Sequence, residues 1–463
     1  SLNKLDEALL TSKKAIELNP EFADAHNNIG EILEELALVK KEVSHQACVQ
    51  VTCDGAFKLN KLLWENTNPL VSLIIPTKNG KALVQACIES IRNKTSYSNY
   101  EIILIDNASD DPESISYFEE LDKLPDVRVL KYPQPFNYSA INNFGVEHAK
   151  GSLVALINND IEVIAPEWLT YMVGHAQREN VGCVGAKLIY SDTRIQHAGV
   201  VLGYGGGAGH AHKNFPRLHT GYLNRINATS NYSAVTAACL VVKKTHFNTV
   251  NGLNEDLAVA FNDVDFCLRV QALGVRNVYC AEAELFHHES VSRGLDISPE
   301  KAARFNKELA YLKTTWSHII ERDPAYSPNL TLKRENFSIK TKEEALVSND
   351  RVLIETPSLK GSINLKGALL DDLVLLNYNE SLEENSKHIN LLSPDQTSNP
   401  YYIEIGWKAI ANNALKVELP NLETKWKTTS KLLSSSSPVT LYWTNNDNMT
   451  FKIHFEVDND YMF

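Results

Sequence analysis

The sequence predicts an α/β core built on a mainly parallel sheet, preceded by a short helical hairpin and followed by a β-rich domain of sandwich type. Three observations predict it. Between about residues 70 and 300, short runs of β-branched and aliphatic residues alternate with helical stretches. Residues 1–40 carry apolar side chains at helical spacing, and residues 345–463 alternate apolar and polar positions between polar turns. With 463 residues, the chain has room for about three units of roughly 100–200 residues, each burying its own core.

The first segment, 1–40, places Leu5, Ala8, Leu9, Ala15, Ile16 and Leu18 before a break at Asn19-Pro20, and Ala23, Ala25, Ile29 and Ile32 after it. That is the pattern of two helices joined by a tight turn. The stretch "AIELNPEFADAHNNIG" resembles the junction between tetratricopeptide repeats, where Pro starts a helix and small residues allow close approach. One junction is not an array, so the segment either ends a longer array or packs on the next part of the chain; a plain helical cap fits the pattern as well. An array remnant points to a protein partner or self-association. Residues 41–69 read as a linker without a strong period.

In the core, "VSLIIPT" (71–77), "YEIILIDN" (100–107), "VRVLKY" (127–132) and "SLVALIN" (152–158) read as strands, with helical stretches such as "ALVQACIESIRN" between them. Parallel sheets bind ligands at the carboxyl ends of their strands. Polar residues gather there: Thr77, Lys78 and Asn79 after the first strand, Asp106 and Asn107 after the second, and Asn158, Asn159 and Asp160 after the fourth. A strand that ends in two amides and a carboxylate is leaving the core for a site, because those groups are costly to bury without partners.

Composition narrows the chemistry. The net charge is −12 with no dense Lys/Arg block, which excludes nucleic acid or an anionic membrane surface as the main partner. Seven cysteines without a C-x-x-C pair indicate neither a disulfide framework nor a zinc ribbon, and fit a reducing cytoplasm. No apolar run approaches the ~18 residues that suggest a membrane span. The expected location is therefore cytoplasmic, with at most a peripheral association with the inner face of the membrane.

Six strings in order, "VSLIIPTKNG", "EIILIDNASDD", "GSLVALINNDIEV", "TRIQHAGVVLG", "AFNDVDFCLRVQALG" and "ELFHHESVSRG", resemble the family-2 glycosyltransferases of GT-A fold, in their bacterial surface-polysaccharide branch. The resemblance covers residues 70–300. It implies a Rossmann-like domain that moves a hexosyl or deoxyhexosyl group from a nucleoside-diphosphate-sugar, with UDP- or dTDP-sugars favoured, to a glycan or lipid-linked acceptor.

Each need of such a reaction selects residue types. A nucleobase needs a slot and edge partners, and the resemblance gives that role to Pro76, Thr77 and Asp106, with Asn79 beside them; Asp106 also reads as a turn or helix cap in "DNASDD". A departing diphosphate needs positive charge, commonly a divalent cation on oxygen ligands. The family's Asp-x-Asp is here Asn158-Asn159-Asp160, one carboxylate short. The resemblance assigns Asp160 to the metal and Asn158 to the ribose, with Asn159 between them and His287 as a further protein ligand; His288 is the poorer choice. A mixed oxygen and imidazole set favours Mn2+ slightly over Mg2+. Proton removal needs a base. Asp265 has Arg269 four residues on, an ordinary helix ion pair, whereas Asp263 has no such partner and is the freer carboxylate. The resemblance agrees, placing Asp263 at the Asp of a Glu-Asp pair whose Glu is here Asn262, and implies inversion of configuration. Arg293 either helps neutralise the diphosphate or pairs with Glu289.

Other stretches carry less. "GYGGGAGHAHKN" (203–214) lacks the long helix of a dinucleotide fingerprint and reads as a flap offering His210 and His212, or as a solvated loop. Residues 224–244 read as an acceptor-side wall, and 301–344 as a helical extension and linker. In the β-rich domain, Trp407, Tyr442 and Trp443 either form a sugar-stacking face or belong to a sandwich core. The same residues allow two rival functions. A sugar nucleotidyltransferase needs a Gly-rich basic loop after the first strand, which "PTKNGKALV" does not supply, and a dead transferase core acting as a glycan-binding scaffold would explain the missing carboxylate.

Overall fold

The computed structural model describes residues 47–54, 57–288, 298–347, 350–381, 383, 386–408 and 417–459, so the expected helical hairpin of 1–40 and Arg293 lie outside the described residues. The chain forms two compact units, divided between Tyr326 and Ser327.

In the first unit, β1 (Ala47–Asp54) and β2 (Phe57–Trp64) pair antiparallel from Ala47↔Trp64 to Asp54↔Phe57. The sequence reads only as a linker here; the alternation in "VQVTC" is too short to separate a strand from chance. The predicted alternation comes next: β3 (Val71–Thr77), α1 (Lys81–Lys94), β4 (Tyr100–Asp106), α2 (Pro112–Leu121), β5 (Val127–Lys131), α3 (Tyr138–Glu147), β6 (Leu153–Ile157), β7 (Ile161–Val163), α4 (Trp168–Ala176) and β8 (Val181–Ile189). After it come β9 (Ile195–His197), β10 (Val200–Leu202), β11 (Ala208–His210), β12 (Ser230–Tyr232), β13 (Cys239–Lys243), α5 (Lys244–Thr249), α6 (Asn262–Gln271), β14 (Arg276–His287), α7 (Pro299–Thr315) and α8 (Ser317–Glu321).

The main sheet runs β12-β14-β8-β13-β6-β3-β4-β5. β5, β4, β3 and β6 are mutually parallel, and β14 is parallel to β8. Between these blocks β13 runs the other way, antiparallel to both β6 and β8. The inner parallel strands β3, β4 and β6 are largely apolar and buried because helices cover both faces. On one face Val71, Leu73, Ile75, Ile102, Leu104, Ala155 and Ile157 meet Val84, Cys87, Ile88 and Ile91 of α1 and Trp168 of α4 in one buried cluster. Each buried Leu or Ile there contributes roughly 1.5–3 kcal/mol. Helix α2 begins where "DNASDD" ends: Asp111 accepts the Ser114 N–H at 2.9 Å and Pro112 takes the first turn.

The second unit holds α9 (Lys342–Val347) and two sheets. One comprises β15 (Arg351–Glu355), β16 (Leu359–Asn364), β17 (Leu369–Asn379), β18 (His388–Leu392) and β20 (Leu432–Leu433), and the other β19 (Lys427–Thr428), β21 (Val439–Thr444) and β22 (Thr450–Phe455). Val352, Ile354, Leu359, Ile363, Leu433, Val439, Leu441, Ile453 and Phe455 share one core, as a sandwich requires. Trp407 stacks on Trp426 at 5.6 Å and, like Trp443, packs on that core, so these aromatics have the structural role the sequence offers as the alternative. The β-type run at 401–405 forms only isolated bridges, Ser393↔Tyr401 and Leu370↔Ile403, with Tyr401 69% exposed. Among the described residues no helix is long and apolar enough to cross a membrane.

Gly199 sits at the turn between β9 and β10 with φ +100°, and a Cβ there would lie 2.5 Å from the Tyr232 ring. Both the backbone conformation and the space demand glycine. Gly199→Ala is expected to cost about 2 kcal/mol or more, read as a lowered midpoint in denaturant unfolding; an unchanged midpoint would contradict the packing.

Candidate active site

The reversed strand brings the site together. Pairing of Cys239 with Ile157 sets Ala237 and Ala238, just before β13, against Asn158, just after β6. The Asn158 N–H donates to Ala238 O at 3.0 Å. One residue earlier in the chain, Ala237 N–H donates to Asp263 Oδ2 at 3.1 Å, and Val264 N–H donates to Asp263 Oδ1 at 2.8 Å. Tyr138, at the start of α3, ties the two halves: its hydroxyl lies 3.0 Å from Ala237 O and 3.2 Å from Asn158 Oδ1 and donates its one proton to either. Burial of the carboxylate pushes the Asp263 pKa up, against the lowering effect of these N–H donors.

A second antiparallel pairing, His287↔Ile161 between β14 and β7, delivers His287 to Asp160, and His288 N–H donates to Asp160 O at 3.0 Å. His287 Nε2 stands 3.2 Å from Asp160 Oδ1 and 3.2 Å from Asn158 Nδ2. One ring nitrogen cannot accept from the amide and donate to the carboxylate at once. Nε2 has a single in-plane lone pair, so an ion at this corner would take it in place of the Asn158 bond, with Asp160 Oδ1 3.2 Å away as the second donor. Asp160 Oδ1 is buried and accepts no hydrogen bond from a described residue. Two donors each ~2.1 Å from a small divalent cation, at right angles, lie about 3.0 Å apart, so this pair fits such an ion. Among the described residues no cluster of three His, Cys, Asp or Glu forms. Burial pushes the Asp160 carboxyl up, but the neighbouring His287 and His288 rings more than offset it, and the group ends below its ordinary value.

The other expected residues line the adjoining strand ends. Asn159 Nδ2 donates to Thr77 Oγ1 at 2.9 Å, and Thr77 Oγ1 donates to Asn79 O at 3.2 Å. Asn79 is bound to the 109–111 turn: its Oδ1 accepts from Asp110 N and Asp111 N at 2.9 and 3.0 Å. Asp106, 2% exposed, accepts from Ser109 N at 2.9 Å through Oδ1 and faces Lys131 Nζ at 3.4 Å through Oδ2. It is thus a turn-holding carboxylate, while the helix cap falls to Asp111. Pro76, paired with Ile105, is partly exposed beside it. Asp265, by contrast, is fully buried and holds Arg269 at 2.8 Å, as its spacing predicts.

One reading needs correction and two residues were missed. The glycine stretch is not a free flap: Val200–Leu202 and Ala208–His210 pair as a hairpin. His212 is buried and accepts from Tyr222 N at 3.1 Å, and the His210 ring meets His197 at 2.7 Å between Nδ1 atoms. The Asn158 side chain meets His287 Nε2 and the Tyr138 hydroxyl, each at 3.2 Å. Tyr138 and His197 were missed. The signal for Tyr138 lies in "NYSAINN", a helix start too polar for an ordinary core helix, and that for His197 in "QHAG", a histidine inside an apolar strand.

Comparison with known proteins gives this geometry a setting. Residues 72–236 match the family model for glycosyl transferase family 2, residues 1–36 that for a TPR repeat, and residues 351–463 that for the YidC periplasmic domain. The chain is similar to the uncharacterized protein y4gI of Sinorhizobium fredii, at 52% identity over 60% of this chain and 31% of that protein. It is also similar to the O-antigen biosynthesis protein RfbC of Myxococcus xanthus, at 38% identity over 60% of this chain and 21% of that protein. The chain therefore spans less than a third of the length of these relatives. Among solved structures, the mannosyltransferase PcManGT from Pyrobaculum calidifontis, in complex with GDP-Man and Mn2+, aligns with a TM-score of 0.40 at 14% identity, covering 69% of this chain and 82% of that one. The strand ends that carry the site thus lie within the stretch that matches glycosyl transferase family 2, the reversed strand follows just beyond it, and the β-rich domain is similar to the YidC periplasmic domain.

Proposed function

We propose that the domain is an inverting, metal-dependent glycosyltransferase of surface-polysaccharide synthesis, using a nucleoside-diphosphate-sugar and a glycan or lipid-linked acceptor. The observation that carries the reading is the meeting of Asp160 and His287 at one end of a hydrogen-bonded bridge, Asn158–Ala238/Ala237–Asp263, whose other end is a partly buried carboxylate. The similarity to the Myxococcus O-antigen biosynthesis protein supports the pathway class. Asp160 and His287 would hold Mn2+ or Mg2+, and the ion, when bound, supplies positive charge for the departing diphosphate. Thr77, Asp106 and Pro76 take the nucleotide; Asn79 and Asn159 fix the loop ends around it.

In the reaction the acceptor oxygen forms a bond to the anomeric carbon as the carbon–oxygen bond to the diphosphate breaks. The acceptor proton passes to Asp263, and the nucleoside diphosphate leaves with the bonding pair from the opposite face, inverting the centre. A carboxylate raised by burial is a better base than one in water, provided the pH keeps it ionised. Free, buried Cys87, Cys183, Cys239, Cys267 and Cys280 accord with a reducing cytoplasm as the place of work.

Release of nucleoside diphosphate from UDP-, dTDP-, GDP- and CMP-sugars, with Mn2+ or EDTA, tests the reading. One donor is expected to turn over only with metal, and Asp160→Ala and Asp263→Asn are each expected to lose at least ~100-fold. If no donor is bound or cleaved by the wild type, the scaffold reading takes its place. Isothermal titration of Mn2+ with the matching nucleoside diphosphate should show weakened ion binding in His287→Ala but not in Asp263→Asn.

The raised Asp263 pKa makes two pH predictions. Because the base must be ionised, kcat/KM falls as pH drops through the raised value, so the acid limb lies above the range of an ordinary carboxylate. Because the folded state holds this proton more tightly than the unfolded chain, stability from this group falls as pH rises from about 3.9 through the raised value. The stability of Asp263→Asn relative to wild type should therefore rise across that window, measured by urea unfolding at stepped pH.

A further inference from the structure

The segment that delivers Asp263 is strained. Phe261, immediately before α6, has φ +60°, a left-handed conformation that is an outlier for a bulky side chain and persists only where its surroundings impose it. The surroundings come from two directions. From α3, Tyr138 N–H donates to Ala258 O at 2.9 Å and Ser139 Oγ to Leu257 O at 2.7 Å, holding the start of the loop. From α7, Glu308, 2% exposed, accepts from Val259 N–H at 3.2 Å through Oε1 and from Ala260 N–H at 2.9 Å through Oε2. Those are the two residues before the left-handed turn. A carboxylate that takes two consecutive backbone donors, one on each oxygen, fixes the direction of that backbone more firmly than a single bond does.

The rest of α7 reinforces the grip. The Phe305 ring packs 5.5 Å from the Phe261 ring, Tyr311 OH donates to Asp265 Oδ1 at 3.3 Å, and Trp316 Nε1, at the end of the helix, donates to the same oxygen at 3.0 Å. Leu309 lies so close to the glycine hairpin that a Cβ on Gly207 would stand 2.8 Å from its Cδ1. Helix α7 lies beyond residues 72–236, the part that matches the family.

We propose that Glu308 is the positioning residue for the base: by holding Val259 and Ala260 it imposes the left-handed turn at Phe261 and so aims the Asp263 carboxylate into the crevice. The inference rests on the reading of Asp263 as the base. A purely structural clamp would lower stability without a specific effect on turnover; a positioning residue lowers kcat through Asp263 and leaves donor binding intact.

The test uses the full chain with Glu308→Ala, Glu308→Gln and Asp263→Asn, and the double variant Asp263→Asn/Glu308→Ala. Glu308→Gln keeps one acceptor oxygen and the side-chain volume, so it remains informative if the alanine variant fails to fold. Nucleoside diphosphate release is expected to fall about 10- to 100-fold in kcat for Glu308→Ala, less for Glu308→Gln, with donor KM within about 3-fold of wild type. The double variant is expected to match Asp263→Asn alone, because a residue that acts through another adds nothing once that other is gone. Hydrogen exchange, which needs no substrate, is expected to speed up at residues 259–263 in Glu308→Ala and stay unchanged in β3 and β6. Losses that multiply in the double variant, or wild-type kcat in Glu308→Ala, overturn the proposal. Wild-type turnover in Asp263→Asn overturns the base on which it rests, and the exchange result then shows separately whether Glu308 holds the loop.

Discussion

The site depends on one reversed strand. A parallel sheet presents all its carboxyl ends on one edge, which suffices to bind a nucleotide but brings no residue from the far half of the domain. By entering between β6 and β8 in the opposite direction, β13 starts where β6 ends, and the pairing Cys239↔Ile157 places Ala237 and Ala238 beside Asn158. Their peptide groups then bond Asn158 on one side and Asp263 on the other. The β14 to β7 pairing repeats the device, carrying His287 to Asp160. A one-residue slip in either register would turn these side chains to the other face of the sheet.

The two carboxylates occupy opposite electrostatic settings. Asp263 is pushed up by burial and met by backbone N–H groups without a cationic side chain among its bonded partners, while Asp160 sits beside imidazoles that draw it below its usual range. In the proposed reaction such divergence would separate the work of two acids in one crevice, the raised group suiting proton transfer and the lowered one staying charged for a cation. The missing first carboxylate of the family pattern fits this division. Asn158 contributes no charge, but its amide meets His287 Nε2 at 3.2 Å and so holds the ring beside Asp160.

Much of this was legible in the sequence, and the reasons are specific. The strand "VSLIIPT" agrees with β3 residue for residue, because a strand buried on both faces is a continuous apolar run bounded by polar residues. The amides and carboxylates at the strand ends do gather at one edge of the sheet, although Asp106 and Asn79 also hold the 109–111 turn. The i,i+4 spacing separated Asp265 from Asp263 correctly. Illegible were contacts made across large sequence separations: Tyr138 with Ala237, and Glu308 with Val259 and Ala260. Nothing in the local pattern of a helix says which distant loop it will hold. The hairpin at 47–64 and the pairing of the glycine stretch were missed for a different reason, because short strands carry too few periods to be distinguished from loops.

Whether Asp160 and His287 together hold the ion can be decided with crystals of the chain grown with Mn2+ and the nucleoside diphosphate released in turnover, measured at the manganese absorption edge. The expected result is an anomalous peak within coordination distance of Asp160 Oδ1 and His287 Nε2, with the diphosphate on its open side and the nucleoside toward Thr77 and Asp106. A nucleotide bound in the crevice with no manganese at that pair, or with manganese held by other residues, would contradict it.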